Sequence, residues 1–277
     1  DSAGWDNAAG AWSSSLHRAT TLAAGRLIDL AEELRPITEA SRVIDVGAGT
    51  GAATLAIAAK TCATDMTATD ISQSMLDNIH LPPPTTTSSH HAAPHSSRTL
   101  TRQTADVHHL TKTFPPSKKT YTHTFSNLML HVLSDPLTAV HQMHAITDPA
   151  GGILALSLTG KPIWMYHLWQ LACQTLDPTF LVPDLFPTRW CTPQDLSHAF
   201  HAVHATDVHI ETFDTEWPFA NSTDFVHWFR VGGHPGIDFA VQAWKGDREM
   251  ALEALGKVHD EMRHLLCLRT VLGVGRV

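Results

Sequence analysis

The sequence predicts an α/β protein, a largely parallel sheet with helices on both faces. Two observations carry that expectation. Segments of strand character alternate with segments of helical periodicity through the first 160 residues, as in a sheet built from strand–helix–strand crossovers. One junction, Val43-Ile44-Asp45-Val46-Gly47-Ala48-Gly49-Thr50-Gly51, runs from an apolar strand through glycines into an Ala/Leu/Ile-rich helix. Such a junction lets a ligand lie on bare backbone at a helix N-terminus.

The elements follow in order. Residues 5–17 are rich in Trp, Ala and Ser and read as a loosely helical lead-in. Leu22, Leu27, Ile28, Leu30, Ala31 and Leu34 recur near helical spacing, and Pro36 stops that helix. Arg42–Val46 is a short buried strand, Ala52–Lys60 the helix after the glycines, and Met66–Asp70 a second strand. Ser72 caps a helix running to about Ile79. Residues 81–100 hold Pro, Thr, Ser and His with almost nothing to bury, a loop or disordered insertion. Strands are expected near Leu100–Ala105 and over Tyr121–Leu128. Asp135-Pro136 starts a helix to about Ile146, and Gly151-Gly152 turns into the strand Ile153–Leu158. Residues 161–176 read as a helix with Trp164, Leu168, Leu171 and Leu176 on one side. Thr192-Pro193 opens a helix to about Val203, Val208–Thr212 is a strand, 236–266 is helical, and Thr270–Val274 closes the chain. The expected layout is one domain over 1–277. It has a lid at about 1–38, a core at 39–160 with last strands at 206–216 and 268–277, and cap helices at 161–205 and 220–266.

Composition narrows the function. Nineteen Lys and Arg against 27 Asp and Glu give a formal charge of -8 with no basic block. That weighs against sequence-independent binding of nucleic acid. No apolar run reaches the roughly 20 residues that span a bilayer, and no basic-then-apolar leader opens the sequence. Cys62, Cys173, Cys191 and Cys267 form no CxxC pair, so reduced thiols and a cytoplasmic location are expected. The 20 histidines include His198, His201 and His204 at helical spacing, and His141 and His144. No cysteine or clustered carboxylate completes a ligand set and no HExxH occurs, so no metal is expected.

Asp70 follows Gly51 by 19 residues, at the end of the second strand, where a carboxylate accepts hydrogen bonds from a ribose diol. Gly47-x-Gly49-x-x-Ala52 also satisfies the dinucleotide fingerprint. Asp45 would set a negative charge against a pyrophosphate, however, whereas a cationic amino-acid cofactor would welcome it. Neither Tyr121 nor Tyr166 has the Lys four residues on that short-chain reductases use.

Asp45-x-Gly47-x-Gly49-x-Gly51 with Asp70 resembles the class I S-adenosylmethionine-dependent methyltransferases. Further segments follow in that family's order: Thr69-Asp70-Ile71-Ser72-Gln73-Ser74-Met75-Leu76, Ala105-Asp106-Val107, Phe125-Ser126-Asn127-Leu128-Met129-Leu130-His131 before Asp135-Pro136, Gly151-Gly152-Ile153-Leu154, and Gly273-Val274-Gly275-Arg276. The flavour is that of the UbiE-like branch found in fungal secondary metabolism, and the likeness covers residues 5–160 well. It implies a Rossmann-like class I sheet, mostly parallel with an antiparallel last strand, under a helical cap. It implies S-adenosylmethionine as cofactor and S-adenosylhomocysteine as product, held by Asp45, Gly47, Ala48, Gly49, Gly51, Asp70, Ile71, Met75, Asp106, Val107, Ser126 and Asn127. In it Asp45 orients the amino-acid end and Asp106 accepts from the adenine amine. Thr122 departs from the family, which often has Asp there.

Methyl transfer asks for an acceptor atom about 3 Å from the methyl carbon and a dry site. A phenol or amine acceptor also needs a base, and His131, after the methyl-facing segment, is the candidate. Trp5, Trp12, Trp164, His167, Trp169 and Trp228 are candidates for the wall of a flat, apolar acceptor site. The expected partner is thus a small natural product methylated at oxygen, nitrogen or sulfur, with no nucleic acid, no membrane, and a monomer or homodimer left open. Two alternatives stand: a cofactor-binding regulator or cyclase without methyl transfer, and an NAD(P)-dependent oxidoreductase.

Overall fold

A computed structural model describes residues 17–81, 98–117, 120–184, 190–232 and 235–277. Most of the expected lead-in and most of the 81–100 insertion therefore lie outside the described residues. Helix α1 (His17–Leu34) buries Leu27, Ile28, Leu30 and Ala31. Strand β1 (Arg42–Val46) passes through the glycine turn into α2 (Ala52–Lys60). Strand β2 (Asp65–Asp70) leads to α3 (Gln73–Asp77), where the Ser72 hydroxyl accepts from the Met75 N–H and caps the helix. Strand β3 (Thr99–Thr104) ends before a 3₁₀ turn at Val107–His109 and the short α4 (Leu110–Thr113).

Strand β4 (His123–Ser126) is followed by a 3₁₀ turn (Leu130–Val132) and by α5 (Pro136–Ile146), whose cap is Asp135. Then come β5 (Ile153–Thr159), α6 (Trp164–Gln174), α7 (Pro193–Ala202) and β6 (Thr206–Glu216). Helices α8 (Ser222–Val231), α9 (Pro235–Ala243) and α10 (Arg248–Met262) precede β7 (Cys267–Arg276).

The seven strands form one sheet in the order β3-β2-β1-β4-β5-β7-β6. Neighbours from β3 to β5 are parallel, and β7 runs antiparallel between β5 and β6. This is the Rossmann-like class I arrangement, with its antiparallel strand as expected. Side chains alternate across β1: Val43 joins Leu27, Ile28, Ile57 and Phe125 under α1 and α2, while Ile44 and Val46 join Val140, Met143 and Phe200 under α5 and α7. A third apolar cluster unites α6, α8, α9 and α10, with Trp169, Phe225, Phe229 and Leu255 at its centre.

Three elements differ from expectation. Strand β4 stops at Ser126 rather than Leu128, because Leu128 takes a left-handed backbone, φ 56°, which ends a ladder. The 236–266 stretch is two helices: Gly246 lies against the Trp244 indole, and Asp247 starts α10 by accepting from the Met250 N–H. Strand β6 is longer than Val208–Thr212 because it forms the sheet edge along all of β7, with a register shift between Thr206 and His209.

Candidate cofactor and active site

A cavity of about 410 Å³ lies at the C-terminal ends of β1 to β4, where open α/β sheets hold ligands. It is lined by Asp45, Gly47, Ala48, Gly49, Asp70, Ile71, Met75, Asp106, Val107 and Asn127, so the structure gathers ten of the twelve expected cofactor residues. Gly51 and Ser126 are not on its wall. Gly51, at φ 93°, caps α2 beneath Ile79, and Ser126 is buried at the end of β4.

The glycine turn has a stated geometry. Gly47, Gly49 and Gly51 all carry positive φ, which other residues adopt at a cost. A Cβ on Gly47 would lie 2.5 Å from Met129 Cγ, whereas one on Gly49 would meet nothing within 4 Å and would project into open space. The Gly47 and Ala48 N–H groups both donate to the Thr69 carbonyl, at 2.8 and 3.0 Å, tying the turn to β2.

Asp70 is fixed from two sides. Its Oδ2 accepts from the Gly49 N–H at 2.8 Å and its Oδ1 from the Ser72 N–H at 3.0 Å. Asp45 is almost fully buried; Oδ2 accepts from the Thr54 N–H at 2.9 Å and its hydroxyl at 2.6 Å. Its other oxygen, Oδ1, is buried with no hydrogen-bond partner among the described residues. Burial pushes the Asp45 carboxyl up to about 6, against the two Thr54 bonds and with a further push from the Asp70 charge. A buried acceptor of this kind on a cavity wall fits a ligand that brings a positive charge and N–H donors.

Asp106 starts the 3₁₀ turn. Burial pushes its carboxyl up, but the His108 N–H and the His109 and His108 rings outweigh that and hold it below the usual range. Asn127 donates from its amide to the Thr20 carbonyl of α1, and its Oδ1 accepts from the Ser157 hydroxyl at 2.9 Å. Ser157 Oγ in turn accepts from the Leu128 N–H at 2.8 Å, holding the left-handed residue in place.

His131 is buried, with Nε2 3.2 Å from Thr159 Oγ1. It is not on the cavity wall, although Met129 and Val132 on either side are. A second cavity, about 490 Å³, opens beyond β5 and is lined by Lys161, Ile163, Tyr166, His167, Val182 and Cys191 among others. Of the expected acceptor residues, His167 is on the wall of this second cavity. Trp169 is fully buried, its indole N–H donating to the Ala240 carbonyl and its ring 5.4 Å from Phe229. Trp228 packs 5.3 Å from Phe219, and Trp164 sits against the same cluster. The structure thus places Trp169 and Trp228 in the cap interior, with Trp164 partly buried against it. Trp5 and Trp12 lie outside the described residues.

Thr54, His108, Leu128 and Ser157 also shape the site and are not among the expected residues. Thr54 was signalled by its place as the third helical residue after the glycines. His108 was signalled by Asp106-x-His108-His109, a cap-and-turn pattern. Leu128 and Ser157 meet only through the fold.

A family described as a methyltransferase domain matches residues 16–210, and the chain belongs to it. It is an S-adenosylmethionine-dependent methyltransferase, with S-adenosylmethionine as its cofactor. No curated protein matches the sequence. Among solved structures, the YcgJ protein of Bacillus subtilis is 16% identical, covers 90% of this chain and 97% of its own, and superposes with a TM-score of 0.53. A Bacillus halodurans C-125 protein is 12% identical, with 91% and 97% covered and a TM-score of 0.51. The cyclase SpnF is 18% identical, with 91% and 80% covered and a TM-score of 0.50. These likenesses concern the fold. Among the described residues no helix is long and apolar enough to cross a membrane.

Proposed function

We propose that this chain methylates oxygen, nitrogen or sulfur of a small, flat, largely apolar acceptor, in the manner of the UbiE-like branch of fungal secondary metabolism. The observation that carries the cofactor half is the Asp45 Oδ1 with no described donor, on the wall of a cavity shared with the glycine turn and Asp70. The acceptor half rests on the second cavity beside the end of β5, with Ile163, Tyr166, His167 and Val182 on its wall. The net charge of -8 without a basic block argues against a nucleic-acid acceptor. Four cysteines outside any disulfide suit a reducing, cytoplasmic setting.

When bound, the cofactor supplies a methyl group already activated on a sulfonium. The residues supply position. Asp70, fixed by the Gly49 and Ser72 N–H groups, presents its carboxylate to the ribose hydroxyls. Asp45 orients the amino-acid end, Asp106 and Val107 the adenine. Leu128, Met129 and Val132 wall the methyl end and exclude water. His131 lies on the wall of neither cavity, but its chain neighbours Met129 and Val132 line the first, and its partner Thr159 is two residues before Lys161 of the second. It is our candidate to take a proton from a phenol or amine acceptor. Trp164, Trp169 and Trp228 stiffen the cap behind the acceptor.

Thermal shift tests the reading. S-adenosylhomocysteine at 100 times its Kd is expected to stabilise the chain by about 2.7 kcal/mol, with no shift from NADP. Stabilisation by NADP alone would overturn it. Labelled-methyl transfer into a metabolite extract then separates a transferase from a chain that only binds.

A further inference from the structure

His108 belongs to the cavity wall and was not among the expected site residues. It is half-buried, and each of its ring nitrogens faces an oxygen. Nδ1 lies 3.1 Å from Asp106 Oδ1, and Nε2 lies 3.1 Å from the Asp135 carbonyl oxygen. The Asp135 carbonyl only accepts, and an ionised carboxylate only accepts. A neutral imidazole carries one N–H and would leave a lone pair against one of these oxygens; an imidazolium donates to both.

The pairing also sorts the lone pairs of Asp106. Oδ1 takes the His108 backbone N–H at 2.9 Å and the His108 ring. Oδ2 takes the His109 ring at 3.0 Å, which leaves one acceptor position on Oδ2. The tie also joins two stretches of the cavity lining, Ala105–His108 and Val132–Ser134, the second just before Asp135.

We propose that His108, as an imidazolium, is a positioning residue: it aims the open lone pair of Asp106 at the adenine amine and ties the two stretches of lining together. The proposal rests on the cofactor reading above. The adenosine end of the ligand is then held more tightly in acid than in base, because deprotonation forces one of the two contacts to break. The charged groups facing His108 are Asp106 and His109 on its own turn and the Asp135 carboxylate from the loop before α5. The titratable residues of α5 look elsewhere, His144 toward His141 and His204.

The probe is 5′-methylthioadenosine, which lacks the amino-acid end and so leaves Asp45 out of the measurement. Calorimetric titration of the wild-type chain at pH 5.5 and pH 8 is expected to show roughly five- to tenfold weaker binding at pH 8, the scale of one charge-assisted hydrogen bond. His108→Gln is expected to bind with one affinity at both pH values. Pairing S-adenosylhomocysteine with each titration separates the layers. Equal affinity at both pH values in wild type, or an unchanged pH dependence in the variant, overturns the His108 role and leaves the cofactor reading intact. Absence of binding by either ligand at every pH overturns the cofactor reading and this inference with it. Should His108→Gln fail to fold, the wild-type titrations decide alone: equal affinity for methylthioadenosine at pH 5.5 and pH 8 refutes the proposal.

Discussion

Asp45→Asn separates what the site needs from what the fold prefers. Burial moves the Asp45 carboxyl from 3.8 to about 6, a difference of roughly 2 on the pH scale at 1.36 kcal/mol each, or about 3 kcal/mol. The sign follows from the direction. Below about pH 4 the carboxyl is protonated in folded and unfolded chains alike and contributes nothing. As pH rises from 4 to 6 the unfolded chain ionises freely while the folded one resists, so stability falls; above 6 the penalty is constant. Asparagine keeps an oxygen for the Thr54 N–H and hydroxyl and carries no charge. At pH 8 the variant is expected to gain up to about 3 kcal/mol, or several degrees in Tm at roughly 2–4 °C per kcal/mol. Cavity-side water makes that figure a ceiling. The gap between variant and wild type should close near pH 4, with other titrating groups cancelling in the difference. The same variant should lose the stabilisation by S-adenosylhomocysteine. Scanning calorimetry from pH 4 to pH 8 reads both. A variant that melts at or below wild type at pH 8, or a gap that does not change with pH, would refute the reasoning.

Other substitutions probe neighbouring parts. Gly49→Ala puts a Cβ into open space at φ 53°, so about 1 kcal/mol of stability is expected to go while cofactor binding, by calorimetric titration, is abolished. Ser157→Ala removes the acceptor of the Leu128 N–H and the donor to Asn127; urea melts should show a loss of about 1–3 kcal/mol, with weaker cofactor binding. His123 is held neutral by burial, pushed down to about 4, despite its contact with the Arg35 carbonyl. Its contribution is complete above pH 6.5 and is lost as pH falls toward 4, up to about 3 kcal/mol. His123→Gln should flatten the acid limb of Tm against pH, and an unchanged limb would count against the assignment.

The parts legible in the sequence are those where one local stretch determines the geometry. Arg42–Val46 needs only its own apolar run to be a buried strand, the glycines after it announce positive φ, and Asp135-Pro136 and Thr192-Pro193 mark helix starts through capping chemistry within four residues. What stayed hidden depends on distant partners. Tyr121–Leu128 is continuously strand-like, yet Ser157, 29 residues beyond Leu128, supports the conformation that ends the strand early. The tryptophans of the cap looked like acceptor contacts because a large ring near a site and a large ring in a core read alike. Only the packing of α6, α8, α9 and α10 decides between them. His131 likewise reads as a residue after a strand; its burial against Thr159 comes from β5.

The antiparallel course of β7 carries a practical consequence for instrumentation. Its final residues pair with the first residues of β5, and the Val277 N–H donates to the Gly152 carbonyl. The cavity sits at the other end of those strands, a separation on the order of 20 Å for strands of this length. A fluorophore attached at Val277 is therefore anchored to the rigid sheet but remote from the ligand. It can report on rotation or surface capture of the whole molecule without competing for the pocket whose occupancy is being measured.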